Sequence, residues 1–255
     1  MEEACKSGNL EKVKELVSLG EDTNTALCYA SENGYLELVK YLVSLGADVR
    51  EGYDYALRYA SRNGHLEVVK YLVSVGADVR AWDHWALRYA SANGHLEIVK
   101  YIMSLVVSKN EFDIRLAVRN GRLDVIKYFV SLGADVRVDD DLALRWASAC
   151  GHLEVVKYLV NKCGADVRSR NDSPLIWSSE ECRFDVARFL LLKGADKEKL
   201  QNKEKYEAYL INLQLEAQKK LYYWWIQICY DPNRAVGRRM MERSWEKYNQ
   251  MVSVN

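Results

Sequence analysis

The sequence predicts an all-α solenoid of about seven helix-turn-helix repeats, followed by a C-terminal helical extension. First, the stretch GHLEVVKYLVSVGADVR at 64–80 returns almost unchanged as GHLEVVKYLVNKCGADVR at 151–168. Second, the turn glycines are mostly 30 residues apart. Third, each copy is too short to bury its apolar face alone, so the copies must stack. The aligned turn positions are Gly8, Gly34, Gly64, Gly94, Gly121, Gly151 and Cys182.

Each unit is predicted to contain two short helices. In the third unit the first helix spans the stretch ALRYASRN and ends at Asn63-Gly64, a pair that accepts a left-handed backbone. The second helix spans HLEVVKYLVSV and ends at Gly76. The apolar positions at helical spacing are Leu57, Tyr59 and Ala60 in the first helix and Leu66, Val69, Leu72 and Val73 in the second.

These motifs resemble the ankyrin repeat. The family's Thr-Pro-Leu-His-x-Ala stretch is matched best by SPLIWS at 173–178, and more loosely by YALRYA, WALRYA and LALRWA. The Gly-His-Leu-Glu-Val-Val-Lys and Gly-Ala-Asp motifs also match, and the resemblance covers nearly four fifths of the chain. Near-identical units, Tyr-rich second helices and Arg in place of the family's His resemble, more narrowly, the ankyrin proteins of giant DNA viruses of the mimivirus type.

The repeat length departs from the family pattern. Ankyrin repeats have a period of 33 residues, whereas most units here have 30. The missing residues fall between units, where the family places its β-hairpin fingers, so we expect shortened β-hairpin fingers. At 104–113 the sequence SLVVSKNEFD replaces Gly-Ala-Asp and is shorter still. We therefore expect a bend, or a break in the binding face, at this junction.

The repeats are predicted to occupy residues 1–199, and a separate segment residues 200–255. The unit boundaries are about 1–22, 23–52, 53–82, 83–110, 111–139, 140–170 and 171–199. Lys12 and Glu15 stand where the third unit has Val68 and Tyr71. The first unit is therefore expected to act as a polar N-terminal cap.

The C-terminal segment is predicted to form two helices that close the apolar end of the stack. An apolar stripe predicts a long first helix, and Asp231-Pro232 is typical of the start of a second. The stripe consists of Leu210, Leu213, Ala217, Leu221, Trp224 and Ile228. Aromatic residues exceed what a cap needs, so we hypothesise that the segment also docks on a protein partner. The docking candidates are Tyr222, Tyr223, Trp224, Trp225 and Trp245.

Composition argues against several classes of function. Lys plus Arg and Asp plus Glu both number 36, so no net charge attracts the chain to nucleic acid or to a membrane. The six cysteines form no Cys-x-x-Cys pair and the four histidines complete no ligand set, so we expect no metal. No stretch approaches the roughly 18 apolar residues that a membrane span requires, and no signal peptide begins the chain. We expect a cytoplasmic protein, in the host cytoplasm if it is viral.

The sequence contains no candidate for catalysis. His65, His95 and His152 all follow a turn glycine, where a ring nitrogen can satisfy local backbone groups. His84 lies in an inter-unit loop beside Asp83, and a lone loop histidine is more often solvated than a general base. With no phosphate-binding loop and no nucleophile-base pair, we expect no enzyme activity, no cofactor and no small-molecule substrate.

Candidate partner-binding residues lie where the copies differ. The framework is nearly constant, whereas the loops read EGYDY, AWDHW, VDDDL and SRNDS. Positions free to vary on a constant framework face something outside it, and the ankyrin resemblance places the finger and first helix on a concave binding surface. The resulting candidates are Tyr53, Asp54, Tyr55, Arg62, Trp82, Asp83, His84, Trp85, Asp139, Asp140, Asp141 and Asp172. Trp82 is the foremost hot-spot candidate, while Tyr55 and Trp85 either pack against the next unit or face a partner.

Two columns of arginine run through the repeats. The first comprises Arg58, Arg88, Arg115 and Arg145, and the second comprises Arg50, Arg80, Arg137 and Arg168. Because the net charge is zero, we expect them to pair with the repeated aspartates. These are Asp48, Asp78, Asp135 and Asp166. The alternative is an arginine ladder for an acidic partner.

These observations favour a non-catalytic scaffold that binds a protein partner through its concave face. One alternative is an adaptor, whose repeats select a target while residues 200–255 dock on ubiquitin-ligase subunits or other cellular machinery. Another is a self-assembling structural protein that forms a homo-oligomer through the C-terminal helices.

Overall fold

The computed structural model describes residues 1–106 and 114–229, with side chains described as far as Trp224. The predicted all-α repeat architecture is confirmed: the described residues form helices and turns and contain no β-strand. A first compact unit spans Met1–Gln201, and a second begins at Asn202.

Seven helix pairs fill the first unit. The first helices of the pairs are α1 (Glu2–Lys6), α3 (Thr23–Glu32), α5 (Glu51–Asn63), α7 (Ala81–Asn93), α9 (Ile114–Arg119), α11 (Val138–Cys150) and α13 (Ser169–Glu180). The second helices are α2 (Leu10–Ser18), α4 (Leu36–Ser44), α6 (Leu66–Ser74), α8 (Leu96–Leu105), α10 (Leu123–Ser131), α12 (Leu153–Cys163) and α14 (Phe184–Leu192). A short 3-10 turn, Lys197–Lys199, follows α14.

Neighbouring repeats stack first helix on first helix and second helix on second helix. In the two helices of the third repeat the buried apolar positions are Ala56, Leu57, Ala60, Val68, Val69 and Leu72. Tyr59, Leu66 and Val73 are only half-buried, because each helix is covered along a narrow stripe by its partner helix and by the adjoining repeats. The stack continues across the irregular junction, where α7 contacts α9 and α8 contacts α10. The expected bend itself falls on residues 107–113, outside the described residues.

The turn inside each repeat also joins neighbouring repeats. Gly64 ends α5 with a φ of 87°, a conformation that glycine adopts without steric cost. The His95 ring approaches so closely that a Cβ on Gly64 would lie 2.7 Å from it. His95 Nε2 donates to the carbonyl oxygen of Arg62 at 2.8 Å. His65 and His152 bond in the same way to the carbonyls of Glu32 and Arg119, so the predicted structural role of these histidines is confirmed.

Each long first helix begins with a left-handed turn in place of a β-hairpin finger. Three consecutive residues have positive φ values at 52–54, 82–84, 139–141 and 170–172. A left-handed helical backbone costs a residue with a Cβ about 1–2 kcal/mol. The shortening that the sequence predicts is therefore present, but the hairpin has been replaced by a single turn that other contacts must stabilise.

The third residue of the left-handed turn joins the start of a repeat to its end. Asp54 is buried, and its Oδ1 accepts the backbone N–H of Asp78, in the loop after the second helix of the same repeat, at 2.7 Å. Its Oδ2 lies 3.0 Å from Arg50 Nε, which compensates the buried charge. Equivalent backbone bonds join Asp166 N–H to Asp141 and Asp196 N–H to Asp172. In the second repeat the amide oxygen of Asn24 accepts from Asp48 N–H at 2.8 Å.

The arginines of the first helices satisfy the carbonyl groups of the same turns. Arg58 donates to the carbonyl oxygens of Gly52 and Tyr53 at 2.7 and 3.0 Å. Arg145 donates to that of Asp139 at 2.6 Å. The predicted pairing of arginines with Asp48, Asp78, Asp135 and Asp166 is present for Arg50 and Asp78 at 3.6 Å. The shorter bonds go to the left-handed turns, because those four aspartates already accept the backbone N–H two residues further on.

Both ends of the described chain carry features that the sequence predicts. In α2, exposed Lys12 and Glu15 form an ion pair at 2.8 Å, so the polar face expected of an N-terminal cap is present. A long helix, α15 (Lys203–Cys229), opens the second unit. Its predicted stripe is half-buried at Leu210, Leu213, Ala217, Leu221 and Trp224. The predicted second helix, from Asp231 onward, lies outside the described residues.

We expect Asp139→Gly to raise the free energy of unfolding by about 0.5–1 kcal/mol, because Asp139 has a φ of 54° that glycine adopts without a Cβ clash. Val138→Gly is the control, because Val138 is not left-handed. We expect this variant to lower the free energy of unfolding by about 0.5–1 kcal/mol. Urea denaturation measures both. A loss of stability in Asp139→Gly would contradict the left-handed turn.

We expect Asp54→Ala to cost about 2–4 kcal/mol of unfolding free energy, because it strips the acceptor from Asp78 N–H and the partner from Arg50. Asp54→Asn should cost about 1 kcal/mol, since it keeps an amide oxygen of the kind that Asn24 supplies naturally. Denaturation midpoints give the order. Equal losses for the two variants would mean that the hydrogen bond between Asp54 and Asp78 N–H contributes little.

Candidate protein-interaction surface

Repeats 3 and 4 carry a continuous cluster of aromatic and arginine side chains on their left-handed turns and first helices. The aromatic members are Tyr53, Tyr55, Tyr59, Trp82, Trp85 and Tyr89, joined by Arg58 and Arg62. We call this set the aromatic-arginine surface. Its members come from both repeats, so it exists only in the stacked protein.

The left-handed turns supply the most exposed rings. Tyr53 and Trp82 remain 71% and 53% exposed. Their rings stack across the repeat boundary with centroids 6.2 Å apart, and Trp82 stacks on Trp85 at 4.9 Å. The buried Asp54 anchors the same turn that carries Tyr53. Two short turns therefore hold two large apolar side chains in solvent, and the turn that carries Tyr53 is fixed by this aspartate.

The first helices supply the half-buried rings. Tyr55 and Tyr59 are one helical turn apart and stack at 4.0 Å, while Trp85 and Tyr89 meet edge to face at 4.8 Å. Tyr59 and Tyr89 join the two repeats at 6.1 Å. Burial, with the Tyr59 hydroxyl beside it, raises the pKa of Tyr55, so this phenol stays neutral. Half-burial means that Tyr55 and Trp85 pack against neighbours and also leave part of their surface accessible.

The two arginines of the surface have different surroundings. Arg58 is buried, and its Cζ lies 4.6 Å from the centre of the Trp82 ring while its N–H groups bond to the turn. Arg62 is exposed, with its Cζ 5.6 Å from the Tyr59 ring and 5.6 Å from the Tyr89 ring. Arg58 thus belongs to the framework, whereas Arg62 lies at the surface.

Three predicted contact residues are not accessible to a partner. Asp54, Asp141 and Asp172 are 1%, 3% and 2% exposed, because each binds a backbone N–H in the loop that ends its own repeat. For these aspartates the prediction of a partner contact is wrong. The loop residues vary between copies, but the third position of the turn has a structural role in three of them.

The remaining predicted residues keep some exposure. Asp83 is exposed and pairs with Arg88 at 3.0 Å, and His84 is half-buried. Asp139 and Asp140 are exposed, and Asp140 pairs with Arg170 of the next repeat at 3.0 Å. A shallow groove of about 740 Å³ that runs from repeat 5 to repeat 7 is lined by Asp135, Arg137, Asp140, Asp166, Arg168 and Arg170. Acidic and basic groups alternate there and largely compensate each other.

The sequence pattern does not separate a column of half-buried first-helix residues from the core. In repeats 2 to 7 its members lie five residues before the turn position: Tyr29, Tyr59, Tyr89, Leu116, Trp146 and Trp177. Their helical spacing makes them resemble core residues, so only alignment across repeats separates them from the core. Arg145 lies 5.4 Å from the Trp177 ring, which extends the pairing of arginine with aromatic rings to repeats 6 and 7.

The tail candidates lie on α15 as far as they are described. Tyr222 and Tyr223 are exposed with ring centroids 6.1 Å apart, and Trp224 is half-buried. Ile211 and Leu215 are exposed on the same helix. The side chain of Trp225 and all of Trp245 lie outside the described residues, so their docking role stays a prediction.

Other reactive groups in the described chain form no site. Burial raises the pKa of the Cys28 thiol to about 11, so it is protonated at neutral pH. In residues 1–106 and 114–229, no three His, Cys, Asp or Glu side chains lie close enough to hold a metal ion. None of the helices described there is long and apolar enough to cross a membrane.

Stacked helix pairs with short connections define a repeat-solenoid protein. Sequence models of ankyrin repeats match residues 27–73, 51–113 and 114–201, more than half of the chain. The chain therefore belongs to the ankyrin repeat family. Its fold is similar to the crystal structure of the human ASB11 ankyrin repeat domain, with a TM-score of 0.57 and 22% identity over 67% of this chain and 84% of that one. Comparison with curated protein sequences gives no match.

We expect Arg58→Ala to lower the free energy of unfolding by about 2 kcal/mol or more, because the carbonyl oxygens of Gly52 and Tyr53 lose their buried donor. Arg62→Ala should change it by less than about 0.5 kcal/mol, since it alters an exposed side chain. Chemical denaturation of both variants measures the contrast. A large loss in Arg62→Ala would place Arg62 in the framework.

Proposed function

We propose that this chain is a non-catalytic scaffold that binds a protein partner through the aromatic-arginine surface. The observation that carries the proposal is the pair of exposed, stacked rings, Tyr53 and Trp82, on the left-handed turns of neighbouring repeats. Tyr, Trp and Arg dominate binding hot spots. A surface that is already ordered loses little entropy on binding.

The family supports the same proposal at a coarser level. Ankyrin repeats are generally protein-interaction scaffolds, with constant residues in the stack and variable residues on one face. We propose a cytoplasmic location, with the cytoplasm of an infected host as the setting if the resemblance to giant-virus ankyrin proteins reflects the source. No proposal here requires a cofactor.

A second candidate function rests on α15. Ile211, Leu215 and Tyr222 fall on one side of this helix and are exposed, as is Tyr223. Exposed apolar patches of this kind mark interaction sites. They favour either an adaptor, in which α15 contacts cellular machinery such as a ubiquitin ligase while the repeats select a target, or self-assembly through α15.

We expect Trp82→Ala to weaken partner binding by about 2 kcal/mol or more, because it removes the central ring of the surface. Affinity purification with the full-length chain, followed by titration of the recovered partner, measures the loss. Leu192→Ala is the matched control, since Leu192 is 77% exposed on α14. Equal binding by wild type and Trp82→Ala would argue against this surface.

We expect Tyr222→Ser with Tyr223→Ser to leave that partner bound if α15 has a separate role. Loss of a different set of co-purified proteins would support the adaptor, and a fall in mass by light scattering would support self-assembly. If neither property changes, α15 has no docking role through these tyrosines.

A further inference from the structure

We propose that Arg62 is a carboxylate-binding residue, and that the partner binds through an acidic linear segment whose Asp or Glu side chain pairs with it. This inference rests on the proposed function, because it specifies the chemistry of the ligand for the aromatic-arginine surface.

The geometry of Arg62 leaves its hydrogen-bond donors unused. The guanidinium group lies over the rings of Tyr59 and Tyr89 at the same 5.6 Å. Its five N–H groups lie in its own plane, in a fork that matches a carboxylate. Within the described chain its side chain has no hydrogen bond and no ion pair, although its backbone carbonyl accepts from His95. The rings therefore hold a planar cation in place while its N–H edge stays free.

Most other arginines of this face are already compensated within the protein. Arg50, Arg137 and Arg168 pair with the buried aspartates of their turns, and Arg88 pairs with Asp83. Arg58 and Arg145 bond to turn carbonyl groups. Arg80 and Arg119, like Arg62, have no carboxylate partner among the described residues. These three arginines lie in repeats 3 to 5 of a chain with no net charge.

The fold does not require arginine at this position. Aligned on the turn glycines, the equivalent residues are Glu32, Ala92, Arg119, Ala149 and Glu180. The backbone carbonyl of Ala92 accepts from Arg122 at 2.9 Å, the same inter-repeat bond that the Arg62 carbonyl makes with His95. The inter-repeat bond therefore needs only the backbone, and a variant with alanine at 62 matches a repeat that already stacks.

The neighbouring groups favour an acidic peptide over a nucleic acid. Exposed Tyr53 and Trp82 lie on the same surface and offer apolar contact to a side chain beside the carboxylate. The rings already stack on one another, so they leave no gap into which bases could insert. Glu51 and Asp83 are exposed on the adjacent turns and would repel a polyphosphate chain. One carboxylate with an apolar neighbour fits these constraints.

The test is selection from a random-peptide library with blocked C-termini, using the full-length chain, followed by titration of a synthetic selected peptide. We expect selected peptides to be rich in Asp or Glu next to apolar residues. Arg62→Ala should weaken the peptide about tenfold, and Arg62→Lys should restore the affinity only in part. Exchanging the peptide's Asp for Asn, or Glu for Gln, should weaken its binding to the wild-type chain about as much as Arg62→Ala does. The same exchange should not weaken its binding to Arg62→Ala any further. Arg188→Ala, at an exposed arginine on α14, is the control.

Three results would overturn the inference, and they separate it from the proposed function. Selected peptides that need Trp82 but show no acidic enrichment would leave the proposed function standing and remove the role of Arg62. If the wild-type chain selects no more peptides than Trp82→Ala does, both this inference and the proposed function are contradicted. Binding of single-stranded oligothymidine that depends on Arg62 would show that the ligand is a nucleic acid.

Discussion

The hydrogen bond from the loop that ends a repeat to the buried aspartate of the turn that begins the same repeat is the constraint on which the rest of the structure depends. An ordinary ankyrin finger has room for a hairpin, whereas three fewer residues force the chain into a left-handed turn that most residues disfavour. The turn persists because Asp54 fixes its end, binding Asp78 N–H and Arg50 together. Turn conformation and closure of the repeat are therefore one event: if the loop after the second helix moves away from the first helix, the bond that holds the turn is lost.

The same hydrogen bond also determines which residues of the turn are exposed. Since the third turn residue points into the stack, the residues before it are turned outward, and in repeats 3 and 4 these include Tyr53 and Trp82. Arg58 connects this turn to its helix through the carbonyl groups of Gly52 and Tyr53, and its guanidinium also supports the Trp82 ring. Buried residues thus hold the exposed rings in a fixed arrangement that these rings would not keep by themselves. The binding surface and the stability of the stack share these residues, so variants for binding studies must avoid Asp54 and Arg58.

The repeated sequence motifs predict the helix pairs and their stacking, but they do not predict the backbone conformation of the turns. The helix pairs and the histidines after the turn glycines follow from periodicity and motif, because stacking imposes the same demand on every copy. The left-handed turn could not be read from spacing alone, since a shortened hairpin accounts for the same length. The aspartate at its third position was visible in DYA, DLA and DSP, but variable neighbours made the whole loop resemble contact residues. The exposure of Tyr59 could not be predicted for the opposite reason, since helical spacing cannot separate a core stripe from a column of rings beside it.

The fourth repeat lacks the buried aspartate of the left-handed turn. His84 stands where Asp54, Asp141 and Asp172 stand, and the same repeat ends without the Gly-Ala-Asp motif whose Asp N–H those aspartates bind. The donor motif and the acceptor carboxylate are absent together, as expected if each is kept only to serve the other. The left-handed backbone persists at Trp82, Asp83 and His84 all the same. Contacts other than the carboxylate must therefore hold this turn, and among those described are the stacking of Trp82 on Tyr53 and Trp85 and the guanidinium of Arg58 over its ring. In this repeat the rings that form the binding surface also help to stabilise the turn that presents them.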